Sequence, residues 1–369
     1  MKVFKLLIVD DDDQQVQSLL DVLKEKEKEL SQDGIKIVSE ICKNKDDALT
    51  KISTKNYDYA IVDLKLSVDN TKTEGNEVLK EIKNKMRFPV TVLSNFPQSL
   101  DTELAHESDV FFIHERTATK YSELIDRIIK LYKTGITELF ADDGFLLTHI
   151  NNSLHDLFWV RIANDWNYIT GTVIDPISRS KVVAKQLTNL FKEEMQLNDF
   201  GLGVSQPFEM YLIPPVRKYY YTGDIISKDG KHFLIITPAC DMEIRNGDKP
   251  KVETVVISHL WHVKDHFITK ECWSNDRFQD SKKEKILNIL KFKQSGYHLL
   301  PPFKDKMGFI IDFADISSIS YEDLKNYKRV ASITEPYLKN ILSRFSNHFN
   351  RLGQPDFNEE SLLKEIKDL

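Results

Sequence analysis

Four residues that close apolar runs could do chemistry together. Asp10 and Asp11 follow the run Phe4–Val9, Asp63 falls near the end of Tyr59-Ala60-Ile61-Val62-Asp63-Leu64, and Ser94 closes Val90-Thr91-Val92-Leu93-Ser94. Carboxylates drawn together repel one another, an arrangement that makes sense around a hard divalent cation with oxygen ligands, Mg2+ in the cell. A carboxylate beside such a cation can also act as a nucleophile toward phosphorus, giving an aspartyl phosphate. Taken singly, each acid could equally cap a helix or end a strand in solvent; it is the set, in this order, that points to a site.

The elements needed to bring these residues together are written in the same stretch. Strand-like runs at Val3–Val9, Ile35–Ile41, Tyr59–Leu64, Pro89–Leu93 and Val110–Ile113 alternate with helical patterns. The first helix carries Val16, Leu19, Leu20 and Leu23 on one stripe, the second Ala48, Leu49 and Ile52, the third Val78, Leu79 and Ile82 beyond Gly75, a short fourth Leu100 and Leu104, and the closing one Leu124, Ile125, Ile128, Ile129 and Leu131. Strand–helix alternation predicts a doubly wound parallel sheet, a (βα)5 unit over residues 1–135. In such sheets ligands gather beyond the carboxyl ends of the strands, where all four residues fall.

Residues 1–135 resemble the receiver domains of response regulators in two-component signalling. The motifs are Leu6-Leu7-Ile8-Val9-Asp10-Asp11-Asp12, Tyr57-Asp58-Tyr59-Ala60-Ile61-Val62-Asp63-Leu64, Glu74-Gly75-Asn76-Glu77-Val78-Leu79 and Phe88-Pro89-Val90-Thr91-Val92-Leu93-Ser94. The resemblance implies a flavodoxin-like fold in which Asp63 accepts a phosphoryl group from a histidine kinase or phosphotransfer protein. It further implies that Asp10, Asp11, Asp63 and the Lys65 carbonyl hold Mg2+, that Ser94 hydrogen-bonds the phosphoryl oxygens, and that Phe111 or Phe112 is the aromatic that senses the change. One departure stands out. Receivers end the fifth strand with a lysine that pairs with the phosphoryl group; here the segment reads Phe112-Ile113-His114-Glu115-Arg116-Thr117, with His114 at the expected place and Arg116 the nearest permanent cation. A histidine is only partly protonated near neutral pH, so the switch depends on whether Arg116 reaches in.

Beyond residue 135 the regularity stops. Helical stretches through Leu146–Ile162 and Lys181–Leu197 flank Gly171–Ser180, and after Gly201 come the strand-like runs Tyr219–Ile226, His232–Thr237, Val252–Val263, Tyr297–Leu300 and Gly308–Ile316, punctuated by Asp229-Gly230, Asn246-Gly247 and Pro301-Pro302. These predict an α+β module with a β-rich, barrel-like core and a final helix over Glu335–Leu352. In outline, through Gly223-Asp224-Ile225-Ile226 and the strand order, it is loosely similar to the SH3-like barrel of toxin-type endoribonucleases. His259, His262 and His266 with Cys272 match no closed zinc pattern, and on a strand His259 and His262 point to opposite faces. Cys240 beside Asp241, with His232 or His259 as base, could form a nucleophilic centre, although a neighbouring acid raises a thiol pKa. Arg217-Lys218-Tyr219-Tyr220-Tyr221 could stack on nucleic acid or be alternating tyrosines of a half-exposed strand.

Composition bounds the rest. The chain has 369 residues, beyond the size at which one core keeps growing, so the expected division is a receiver over 1–135, a helical connector over 136–200 and an effector module over 201–369. No apolar run approaches the length of a membrane span, and the N-terminus lacks the hydrophobic stretch of a secretion signal, so no membrane contact is expected. Three widely spaced cysteines suit a reducing compartment, the cytoplasm. The formal charge is -6; residues 1–140 carry 21 basic against 26 acidic side chains, so the acidity belongs to the first region, and nucleic-acid binding is not implied by charge. The expected protein is a phosphorelay response regulator whose C-terminal module binds a macromolecular partner, protein or nucleic acid, with homodimerisation permitted by the apolar closing helix. A receiver-controlled nuclease-like enzyme and a pseudo-receiver used for docking are the alternatives.

Overall fold

A computed structural model describes residues 2–66, 73–173, 175–196, 204–244, 250–302, 308–350 and 358–367. The polar loop at 67–72 and the turn Asn246-Gly247 lie outside the described residues. The chain divides into two compact units, Met1–Phe200 and Gly201–Leu369.

In the first unit β1 (Lys2–Val9), β2 (Ile35–Cys42), β3 (Tyr59–Val62), β4 (Val90–Ser94) and β5 (Phe111–Glu115) form one parallel sheet in the order β2-β1-β3-β4-β5. β1 shows why the sheet is covered on both sides. Its Leu7 and Val9 pack with Ala48, Ile52, Val78, Leu79 and Ile82 of α2 (Lys45–Thr54) and α3 (Gly75–Lys85). Its Phe4, Leu6 and Ile8 pack with Leu19, Leu23, Ile125 and Ile128 of α1 (Asp13–Gln32) and α4 (Tyr121–Lys133). Period-2 alternation on a strand buried on both faces produces a nearly continuous apolar run. Between β4 and β5, where a short helix was expected, there is only a 3-10 turn, Pro97–Ser99, followed by irregular turns. Leu100 and Leu104 still point into the core, at 7% and 5% exposure, but two apolar residues among polar ones give too narrow a stripe to hold a helix.

After α4 the chain continues through α5 (Ile136–Phe140), which lies at the end of the sheet opposite the acids, and α6 (Phe145–Asp156). Lys2 pairs with Glu138 at 2.6 Å, and Arg87 donates to the Phe140 carbonyl and to Asp142 at 3.2 and 2.9 Å. The helical stretch ends in a π-helical turn, Leu157–Ile162, and is followed by α7 (Trp166–Thr172) and α8 (Pro176–Gln196). Leu157, Ile162 and Leu190 make a small core of their own, whereas Phe158, Trp159 and Val160 remain more than half exposed.

The second unit holds an antiparallel sheet of seven strands in the order β12-β13-β9-β8-β7-β14-β6. They are β6 (Tyr211–Leu212), β7 (Asp224–Lys228), β8 (Lys231–Ile235), β9 (Thr254–His262), β12 (Tyr297–Leu300), β13 (Phe309–Ser320) and β14 (Lys328–Ile333); β10 (Trp273–Ser274) and β11 (Arg277–Phe278) form a separate ribbon. The sheet is a half-barrel: its edge strands do not pair, but Tyr211 of β6 donates its hydroxyl to the Pro301 carbonyl beyond β12 at 2.8 Å. Asp229 and Gly230 both have positive φ, 50° and 75°, the two-residue turn that matches strand twist and joins β7 to β8. One face packs on α11 (Tyr337–Phe349) around Phe309, Ile311, Phe313 and Ile341; the other gathers Ile226, Ile235, Met242 and Ile257. Tyr219, Tyr220 and Tyr221 are not on a strand, because β7 begins only at Asp224 after Gly223 at φ 89°. The short helices α9 (Ala239–Met242) and α10 (Lys283–Leu290) and the terminal α12 (Glu359–Lys367) complete the unit.

Candidate functional site

Asp10 is the first residue past β1, and Asp63 the first past β3, so the parallel order sets their carboxyls side by side. Asp10, Asp11 and Asp63 each present a carboxylate oxygen, and these lie within 4.8 Å of one another, the only such group among the described residues. Local bonds fix the two ends. Asp12 caps α1 by accepting from the Gln14 and Gln15 amides, and its own amide donates to Asp10 Oδ1 at 3.0 Å. The Leu64 amide donates to Asp63 Oδ1 at 2.6 Å. Gly75 opens α3 directly against this turn: a Cβ there would lie 2.1 Å from the Asp63 carbonyl oxygen and 2.7 Å from Leu64 Cα, so no larger residue fits.

The cation in this cluster is Arg116. It sits in the 3-10 turn after β5, and its Nη2 donates to Asp10 Oδ2 at 2.6 Å, to Asp63 Oδ2 at 3.1 Å and to the Leu93 carbonyl at 3.0 Å. The side chains of Arg116 and Asp10 are 5% and 3% exposed, that of Asp63 12%. Arg116 Nε is buried without an acceptor. Burial pushes the Asp10 carboxyl up to about 6, against the pull of the guanidinium, and burial also raises Asp11. His114 is turned elsewhere: its Nε2 lies 3.2 Å from Arg127 Nη1 on α4, and burial followed by that cation lowers its pKa.

The other residues singled out from the sequence surround the acids less closely. Ser94 is buried at the end of β4 and its Oγ accepts from the Phe96 amide at 3.3 Å, with no hydrogen bond to Asp63. Lys65 extends its ammonium over the Phe96 ring at 3.7 Å, and its amide faces Asp63 Oδ1 at 3.4 Å. Phe111 is buried in the core under Lys83, while Phe112 is half-buried beneath Arg127. The sequence reading missed Gly75 as a packing contact and Asn76, whose side chain donates to Ser99 O and accepts from the Asp101 amide, pinning the turn after β4. A small residue opening a helix after a strand-end acid was the available signal.

A parallel sheet in the order 2-1-3-4-5 with acids beyond strands one and three is the flavodoxin-like arrangement shared by receivers. The parallel sheet of the first unit and the helices that cover it have the receiver fold. Solved structures similar to the receiver-fold part include a CheY-like response regulator receiver domain from Methylobacillus flagellatus, 19% identical over 35% of this chain and 99% of that one, TM-score 0.28. A Francisella response regulator receiver domain is 29% identical over 35% and 97%, TM-score 0.26. The Thermotoga maritima response regulator TrrA, solved in complex with Mg2+ and BeF, is 26% identical over 36% and 99%, TM-score 0.25. No family model matches the chain, and no curated protein matches it. Among the described residues no helix is long and apolar enough to cross a membrane.

The second unit does not assemble the catalytic centre that its sequence allowed. His259 stacks on Phe233 at 5.2 Å and bonds toward Asp315, whereas His232 lies on the opposite sheet face beside His262 and Phe309. Cys240 is exposed on α9, its thiol 3.6 Å from Asp241. Cys272 is buried, and burial raises its pKa. The tyrosines after Arg217 are held by cations of the chain itself, Arg217 lying 3.7 Å over Tyr221 and Arg329 5.7 Å over Tyr220.

Proposed function

We propose that the chain is a response regulator: Asp63 accepts a phosphoryl group from a histidine kinase or phosphotransfer protein, and the change of state is passed to a C-terminal unit that binds a macromolecular partner. The observation that carries this reading is the convergence of Asp10, Asp11 and Asp63 with one buried guanidinium beyond the carboxyl ends of a receiver sheet. In the transfer an Asp63 carboxylate oxygen forms the new bond to phosphorus while the phosphohistidine P–N bond breaks, the donor leaving as histidine. The donor set suits Mg2+, held by Asp10, Asp11, Asp63 and the Lys65 carbonyl, which would neutralise charge on the phosphoryl oxygens. Arg116, already on Asp63, supplies the positive charge that His114 does not. Its unpaired Nε–H is a donor available to an incoming oxygen.

The test is incubation of the chain with acetyl phosphate, or with beryllium fluoride, in the presence of Mg2+. Intact-mass measurement should find one added phosphoryl group on the wild type and none on Asp63→Asn, and beryllium fluoride should raise the melting temperature of the wild type alone. Absence of any Mg2+-dependent change in both proteins would leave a receiver fold used for docking.

A further inference from the structure

The acid pocket contains a counter-ion that belongs to the chain. Asp10 and Asp63 offer four carboxylate oxygens, and all four are engaged. The Oδ1 atoms accept from the Asp12 and Leu64 amides at 3.0 and 2.6 Å, and the Oδ2 atoms accept from Arg116 Nη2 at 2.6 and 3.1 Å. Its third bond, to the Leu93 carbonyl at 3.0 Å, ties the guanidinium to the end of β4 as well, so residues from three strand ends hold it. With 5% of the side chain exposed, protein rather than water sets its position. A fixed positive charge here relieves the repulsion between the carboxylates, the task a divalent cation would otherwise perform. It also opposes the arrival of a second cation, because like charges a few ångströms apart repel strongly where little water screens them. Asp10 and Asp63, which the guanidinium holds, are two of the three carboxylates that could hold a metal.

We propose that Arg116 is a built-in counter-ion that competes with a divalent cation for Asp10 and Asp63, so that metal enters this pocket only as the Arg116–Asp10 bond is released. A lysine at 116 would be a weaker competitor, since all three bonds come from Nη2 at the tip of the side chain, which the shorter lysine does not reach, and an ammonium holds its water more strongly than a guanidinium. The proposal rests on the cluster being a divalent-cation site, but it concerns metal affinity rather than phosphorylation, and its test uses no phosphodonor.

The experiment is calorimetric titration of the full chain with MgCl2, repeated with MnCl2, for wild type, Arg116→Met, Arg116→Lys and Asp11→Asn. Arg116→Met is expected to bind roughly tenfold or more tighter than wild type, Arg116→Lys in between, and Asp11→Asn more weakly than wild type. Equal affinities of wild type and Arg116→Met, or weaker binding by Arg116→Met, would overturn the proposal alone. No binding by any variant would overturn the cation-site reading and the proposal with it. If Arg116→Met does not fold, the wild type decides: the Arg116 side-chain N–H resonances followed by NMR should shift or broaden as Mg2+ saturates the site, and resonances that stay unchanged at saturation would overturn the proposal.

Discussion

Gly75 acquires its importance from the 2.1 Å that would separate a Cβ from the Asp63 carbonyl oxygen. Gly75→Ala must therefore push α3 away from the Asp63 turn, and we expect a loss of about 1–3 kcal/mol in urea unfolding together with slower labelling of Asp63 by acetyl phosphate. An alanine variant with unchanged unfolding midpoint and labelling rate would contradict the contact. The acids themselves were legible in the sequence because a strand-end acid needs only its strand to be recognised. Arg116 was legible as a charge but not as a position: its reach to Asp10 depends on a 3-10 turn after β5, and no periodicity announces such a turn. His114, in register where a cation was expected, faces Arg127 because that side of β5 is covered by α4.

Among the elements, α1 is anchored by Asp12, which accepts from the Gln14 and Gln15 amides while its own amide holds Asp10. Asp12→Ala should lose about 1 kcal/mol of stability, read by thermal or urea unfolding, while divalent-cation binding should change little, because the bond to Asp10 comes from the backbone amide, which alanine keeps. In the second unit β12 buries His298, whose pKa falls to about 4 through burial and then the nearby Arg344. The unfolded chain protonates this imidazole from about pH 6.5 downward whereas the folded chain resists until about 4, so its contribution favours unfolding progressively across that window. Unfolding of the chain should therefore grow easier between pH 6.5 and 4, and His298→Phe should remove up to about 3 kcal/mol of the stability lost across that window; an equally steep slope in the variant would place the effect elsewhere. The long elements could be read from apolar spacing, β1 and α4 most plainly. The π-helical turn at Leu157–Ile162 and the non-helical link between β4 and β5 could not, since both arise where the apolar pattern is too sparse or too crowded to choose a period.

At the scale of the molecule, each unit carries cores of its own. Fragments 1–200 and 201–369 expressed apart should each show a single cooperative unfolding transition by circular dichroism; a fragment that melts without cooperativity would mean that its core is completed by the other. The sequence conveyed the parallel half almost whole, since local βαβ repetition specifies it, and conveyed the half-barrel only as a succession of strands, because antiparallel order and curl are set by pairings far apart in the chain, such as β13 with β9. The helical stretch between the sheets has one consequence for how the protein can be watched. The four tryptophans are Trp159, Trp166, Trp261 and Trp273, and none belongs to the parallel sheet or the helices that cover it. Trp159 and Trp166, at 61% and 43% exposure, are open to a dissolved quencher. Light emitted near 350 nm is thus blind to the acid pocket itself, and any change in it when Asp63 is modified would be the signature of a signal that has already left the receiver.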